Sequence, residues 1–267
     1  MEKLRKISKE LRLKVLEDIH RSKMGHIGGT YSALDLFVYL YYGDYGLRQY
    51  AEQDVLFEDR DRLVIDKGHA CLALYNIWVE LGLLAQWDLD KFGDNGAFLS
   101  GQLNINTPGV EYNTGSLGHA IGIASGMAMA GRINNKDYYS IALIGDGECS
   151  EGSVWEAIEF AGQQQLDKLF CIVDFNRLGV TDFVGVEEED LRRRVESYGW
   201  HCNIIDGHNF LSIESAFKML QDIEKPYMAI ARTTKGKGIS FMENGVKWHH
   251  SVPSEEEYLI AKKELEA

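Results

Sequence analysis

The stretch IALIGDGECSEGSVWEAIEFAGQQQLDKLFCIVDFNRLGVTD, Ile141–Asp182, decides the fold. Tyr139–Ile144 is a mostly apolar run of the length a buried strand needs, and Gly145-Asp146-Gly147 ends it. Gly152 to about Gln165 reads as a helix, and Leu169–Val173 as a second buried strand that runs out at Asp174-Phe175-Asn176. This order predicts a βαβ unit with Asp146 and Asn176 at the C-terminal tips of neighbouring strands. Two oxygen-bearing side chains there can share one hard cation such as Mg²⁺, which takes oxygen ligands and commonly bridges to phosphates. Gly145 and Gly147 let backbone N–H groups approach a diphosphate, and the following helix turns its positive end toward it. The plainer alternative is a βα turn closed by Gly and Asp, with Asn176 as a turn residue. The pairing of the two positions weighs against it.

Bulk properties narrow the setting. The 267 residues, 45% hydrophobic, suffice for one large α/β domain, a mostly parallel sheet with helices on both faces. Three prolines and no low-complexity tract leave no internal boundary, so a single domain over residues 1–267 is expected. A net charge of −13 argues against nucleic acid and against an anionic membrane. An anionic ligand would then need a local metal and local donors. No run approaches the ~20 apolar residues of a membrane span. The N-terminal MEKLRKISKELRLKVLEDIH reads as a mixed-charge amphipathic helix, not a leader. Cys71, Cys149, Cys171 and Cys202 form no CxxC pair and no metal spacing, which suits free thiols in a reducing cytoplasm.

Leu4, Ile7, Leu11, Val15 and Ile19 fall at helical spacing within residues 2–23. Met24-Gly25-His26-Ile27-Gly28-Gly29 breaks that helix, and Tyr31–Tyr41 resumes as a second. His26 lies between glycines, on backbone that can bend close to a ligand, although by itself it is as readily a turn residue. Leu63–Ile65 is a short buried strand. Lys67-Gly68-His69-Ala70 follows its tip, where α/β ligands collect, and leads into a helix over Cys71–Leu81. Residues 88–113 are irregular, and a long irregular segment in a compact domain is usually functional or disordered. Thr114-Gly115-Ser116-Leu117-Gly118 opens a helix to about Gly131. Its Gly118, Gly122 and Gly126, with Ala124, Ala128 and Ala130, admit a close neighbour inside the domain or across an interface. Glu151 and Glu156 sit at the start of the helix after the GDG turn, where acids favour the dipole. VEEEDLRRRVESYGW reads as a solvated helix. Trp200–Ile205 and Tyr227–Arg232 are strands around a helix at Ile213–Ile223, with Asp206-Gly207-His208 as a turn. TTKGKG, Thr233–Gly238, lacks the P-loop spacing. Paired His249 and His250 lie on a loop before a last helix within Pro253–Ala267.

Taken together these motifs resemble the transketolase family, and specifically the separate N-terminal subunit of its split form. The resemblance covers nearly the whole chain: GDG with the later Asn176, SKMGHIGGTYSALDLF with Ile27 where the family has Pro, DKGHACLALY, PGVE and TGSLG, and TTKGKG leading to Lys247-Trp248-His249-His250. It implies thiamine diphosphate held through Mg²⁺, or Ca²⁺ or Mn²⁺ in its place, with Asp146, Asn176 and the carbonyl of Leu178 as metal ligands. Phe175 stands at the first position of the family's Asn-Asn pair. Further cofactor contacts would fall to His69, Gly115, Ser116, Leu117, Gly145, Gly147, Glu151 and His249, and Glu151 and Glu156 would join a carboxylate network between two cofactors. His26, His69 and His249 become catalytic candidates, and His26, Gln102 and His249 substrate contacts. Gln102 replaces a family His near the donor's hydroxyls. An amide donates and accepts but carries no proton near neutrality, which leaves the sugar open.

The implied reaction is transfer of a two-carbon ketol unit from a ketose to an aldose, free or phosphorylated. Bound thiamine diphosphate would supply an electron sink for the carbanion left by C–C cleavage. The family's catalytic Glu lies in a domain with no match in this sequence. A separate C-terminal subunit carrying the pyrimidine-binding domain is therefore expected, in a heterotetramer of two copies of each chain. Gln102 and Ile27 keep open another thiamine-diphosphate carboligase, of secondary metabolism or unusual sugar synthesis. A non-catalytic scaffold is opposed by Asp146, Asn176 and three histidines. A nicotinamide-binding domain is disfavoured because no GxGxxG follows the first strand.

Overall fold

The computed structural model describes residues 1–48, 58–179 and 185–267, so residues 180–182 at the end of the quoted stretch lie outside the described residues. Five strands, β1 (Arg62–Ile65), β2 (Ser140–Gly145), β3 (Leu169–Phe175), β4 (His201–Asp206) and β5 (Tyr227–Arg232), make one all-parallel sheet in the order β1-β2-β3-β5-β4. Every residue of β2 and β3 is buried. Strands covered on both faces read as continuous apolar runs, which is why the two were visible in sequence without alternation.

Alternate residues nonetheless feed two cores. Ile141, Leu143, Phe170, Ile172 and Ala229 pack under α1 (Glu2–Ser22), α2 (Ile27–Tyr42), α3 (Cys71–Glu80), α4 (Gln86–Asp90), α8 (Phe210–Met219) and α9 (Glu255–Glu266). Ala142, Ile144, Cys171, Val173 and Ile230 pack under α5 (Ala120–Ile133), α6 (Gly152–Gln163) and α7 (Glu188–Ser197). The expected α/β class with helices on both faces is therefore what the chain adopts.

Several boundaries differ from expectation for identifiable reasons. The break after α1 shrinks to Lys23–His26, because Ile27-Gly28-Gly29 already belong to α2. A Cβ on Gly28 would lie 2.7 Å from the Trp248 carbonyl, and one on Gly29 2.8 Å from His69 Nε2. The two glycines admit neighbours; they do not stop the helix. The TGSLG segment is a turn instead of the first turn of α5, with Gly115 and Gly118 at φ 113° and 86°. The Asp66 carboxylate receives the Gly118 and Ala120 amides at 2.9 and 3.1 Å and so caps α5 from the tip of β1. α8 starts at Phe210, not Ile213, because the Asn209 side chain accepts from Leu211 N at 3.0 Å.

On α5, Ala124 and Ala128 face the core while Gly122, Gly126 and Ala130 are exposed. Packing inside the domain thus accounts for Ala124 and Ala128. Asp206-Gly207-His208 is a turn with a structural task. His208 Nδ1 bonds Asp35 at 2.7 Å and Nε2 accepts from Thr234 N at 2.8 Å, while Arg12 reaches Asp35 at 2.9 Å. All four cysteines are buried and free. No helix among the described residues is long and apolar enough to cross a membrane.

Candidate active site

Parallel strands of matched length end on one edge, and Gly145 of β2 is in register with Asp174 of β3. A cleft of roughly 460 Å³ opens there. Asp146 takes the first position past β2 and Asn176 the first past β3. Both are buried, and both line the cleft with the Gly145 and Gly147 backbone and Leu178. Asp146 Oδ1 accepts from Gly147 N at 2.8 Å, and Oδ2 accepts from the Arg177 amide. Asn176 Oδ1 accepts from Leu178 N at 3.0 Å, folding the segment around a left-handed Arg177 at φ 65°.

Burial, and then the nearby Asp174 carboxylate, push the Asp146 carboxyl above the usual carboxylate range. A cation beside it would reverse that penalty. Among the described residues no group of three or more His, Cys, Asp or Glu side chains could hold a metal. The donors gathered here are different: one carboxylate, one amide oxygen and one backbone carbonyl. That hard-oxygen set fits a Mg²⁺-like ion which keeps its remaining positions for phosphate oxygens and water.

Two lysines that no motif marks shape the same cleft. Lys67, at the tip of β1, is buried against Asp174, whose carboxylate also accepts from Ser32 Oγ at 2.6 Å and from Thr233. Burial alone would raise the Asp174 carboxyl, but the Lys67 ammonium and these hydrogen bonds hold it below its usual range. Lys235 is 1% exposed, and its ammonium donates at 2.9 Å to each of Leu178 O, Gly179 O and His249 Nδ1. Burial, with Lys67 nearby, lowers its pKa to about 8, so it remains charged at neutral pH. Glu148 lines the floor and accepts the Gly145 amide at 2.7 Å, and burial with the Asp66 charge pushes its carboxyl well up.

The histidines converge from three parts of the chain. The ring centroid of His26 lies 5.1 Å from that of His69 and 5.6 Å from that of His249, and those of His69 and His249 are 5.3 Å apart. His69 and His249 line the cleft, and His26 stands outside its walls with exposed His250 edge-on at 4.5 Å. Gly68 lets the turn that carries His69 pack against Thr114 and Gln102, since a Cβ there would fall 1.9 Å from Thr114 Oγ1 and 2.5 Å from Gln102 Oε1.

Burial, with the charge of neighbouring His250 and Lys235, lowers His26 to about 4, and burial with Lys235 lowers His249 to about 4. Both rings are therefore neutral donors and acceptors across the physiological range. A base whose folded pKa is depressed contributes stability that is complete above its unfolded value near 6.5 and is lost as pH falls toward 4. Melting temperature should accordingly drop from pH 6.5 to 4, and H26Q and H249Q should each flatten that slope. An unchanged slope in both variants would contradict the assignment.

Not every sequence candidate reaches the cleft. Leu117 does, but Gly115 and Ser116 lie on the exposed turn beside it, and Ser116 Oγ is 3.1 Å from His119 Nε2. Glu151 and Glu156 are exposed at the start of α6. Gln102 sits behind the His69 turn, its Oε1 3.3 Å from Thr114 Oγ1.

Comparison with known proteins places this geometry. Residues 4–266 match the family described as transketolase, thiamine diphosphate binding domain. An apulose-4-phosphate transketolase subunit from Phocaeicola vulgatus is 38% identical over 97% of this chain and 92% of its own length. Human transketolase is 35% identical over 93% of this chain but only 40% of its own length. Among solved structures, Campylobacter jejuni transketolase superposes with a TM-score of 0.91 at 30% identity, over 100% of this chain and 43% of that one. The Leishmania mexicana enzyme gives 0.87 at 26% identity, over 98% of this chain and 41% of its own. The chain thus spans about two fifths of a full-length transketolase, and it belongs to the transketolase family, whose thiamine diphosphate binding domain it carries.

Proposed function

We propose that the chain is the N-terminal subunit of a two-part transketolase that moves a two-carbon ketol unit from a ketose phosphate to an aldose phosphate. The observation that carries this is the near full-length match to a protein named as one subunit of a transketolase, joined to a cleft that gathers Asp146, Asn176 and the Leu178 carbonyl. The matched relatives are transketolases, which does not favour the carboligase alternative.

In this reading Asp146, Asn176 and Leu178 O bind Mg²⁺, with Ca²⁺ or Mn²⁺ as substitutes, and the Gly145 and Gly147 backbone lies against the diphosphate. Bound thiamine diphosphate supplies the electron sink for C–C cleavage. His69 and His249 contact cofactor and donor, and His26, packed against both rings, contacts the sugar hydroxyls. Neutral imidazoles suit that work, because each offers one donor and one acceptor. Gln102, standing where the family has a His, contacts the hydroxyls of the donor sugar. The exposed Gly115-Ser116-Leu117 turn, with Glu151 and Glu156, faces a separate C-terminal subunit that completes the site in a cytoplasmic heterotetramer. The whole chain acts as one domain.

The test is reconstitution with a candidate pyrimidine-domain subunit. Titration with Mg²⁺ and thiamine diphosphate should show saturable binding, and ketol transfer from a ketose phosphate should appear only with both subunits. An assembled complex that binds no cofactor would end this reading.

A further inference from the structure

An ammonium has three hydrogens to give and no lone pair to receive with. Lys235 spends all three, on Leu178 O, Gly179 O and His249 Nδ1, each at 2.9 Å. The contact with the imidazole therefore has one sense: Nδ1 offers its lone pair. A neutral imidazole whose Nδ1 is the acceptor carries its proton on Nε2. With the Lys235 ammonium 2.9 Å from Nδ1, that nitrogen has no room for a hydrogen of its own. The Nε2 of His249 takes no partner among the described residues, although the ring lines the cleft.

We propose that Lys235 is a positioning residue: by donating to Nδ1 it locks His249 in the tautomer whose Nε2–H is free to donate to an acceptor oxygen of the sugar. The sugar as recipient rests on the transketolase reading; the tautomer itself does not. The same ammonium grips Leu178 O and Gly179 O, so it fixes the imidazole relative to the segment that supplies a metal-ligand candidate. Nothing in the bare TTKGKG pattern marks this lysine as different from Lys237, which is half-buried and pairs with Glu243 at 3.2 Å.

The direct measurement is ¹⁵N imidazole NMR of the full chain, with the His249 signals identified by their loss in H249Q. The expected spectrum shows Nδ1 as an unprotonated acceptor and Nε2 as protonated. K235M should release the lock and shift both signals toward a mixture of tautomers, whereas K235R, again a pure donor, should retain the wild-type pattern. A wild-type proton on Nδ1, or a folded K235M whose His249 signals do not move, would overturn the proposal.

Kinetics of the reconstituted complex give a second readout. Outer partners that orient a histidine typically contribute 10–100-fold, so K235M should lower kcat/KM for the sugar by about that factor. Added to H249Q it should cost less than it does alone, the remainder coming from its hold on Leu178 O and Gly179 O. Full additivity of K235M and H249Q would show that Lys235 does not act through His249. A complex that fails to bind thiamine diphosphate would defeat the functional reading while leaving the NMR result intact.

Discussion

Asp146→Ala is expected to lower the affinity of the reconstituted complex for Mg²⁺ and thiamine diphosphate by at least about 100-fold, since even outer-sphere partners of a metal cost 10–100-fold. Asp146 is the single anion among the three oxygen donors, and its two oxygens also receive the Gly147 and Arg177 amides. In the proposed site its loss would therefore remove a ligand and loosen the segment carrying the other two. Stability should move differently. A carboxyl whose folded pKa is raised, as burial and Asp174 do here, penalises the ligand-free fold as pH rises through that folded value. At neutral pH the alanine variant trades this penalty against two lost hydrogen bonds, so its ligand-free melting temperature should stay near that of the wild type. Only the wild type should then gain stability as ligand is added, by RT ln(1 + [L]/Kd). Calorimetric titration and melting with and without cofactor check both halves. Equal cofactor affinity in the two proteins would remove Asp146 from the metal site.

The parts of this site legible in sequence were those written locally. β2 and β3 announce themselves because strands buried on both faces cannot alternate, and the polar residues at their ends must then meet at one edge. Asp146 and Asn176 followed from that register alone. What escaped was tertiary. Lys67 meets Asp174 across 107 residues, and Asp66 caps α5 from 52 residues away. No spacing rule reaches such separations, and a Lys or Asp at a strand end looks like any solvated terminus until its partner is placed. Lys235 was hidden differently, inside a basic run where charge suggests exposure. Gly28 and Gly29 misled because glycine was read as a helix breaker, whereas here its missing side chain lets Trp248 and His69 approach a continuous helix. The histidines occupy a middle ground. The resemblance named His26, His69 and His249 together, but only the fold shows that His69 and His249 line the cleft while His26 stands outside its walls against both rings.

Lys67→Met should be the most destabilising of the substitutions discussed. Asp174 is fully buried, and Lys67 is the cation against it. Breaking a buried pair from one side typically costs about 3–5 kcal/mol, because the remaining charge has no solvent to receive it. For a chain of this size that corresponds to a fall in melting temperature of roughly 6–20 °C. Ser32 and Thr233 still donate to the stranded carboxylate, but neutral donors offset only part of the loss. The pH dependence should invert as well. In the wild type the folded pKa of Asp174 is depressed, so its contribution is present above the unfolded value and fades as pH falls through the folded one. Without the ammonium, burial dominates and raises that pKa, so the variant should lose stability as pH rises. The gap between the two proteins should therefore be widest near neutrality and should close in acid. Replacing both charges removes the stranded ion, so K67M/D174N should recover most of the loss. Denaturant unfolding of the single and double variants across pH decides the matter: a K67M deficit that D174N does not relieve would mean that Lys67 contributes through packing, not through its charge.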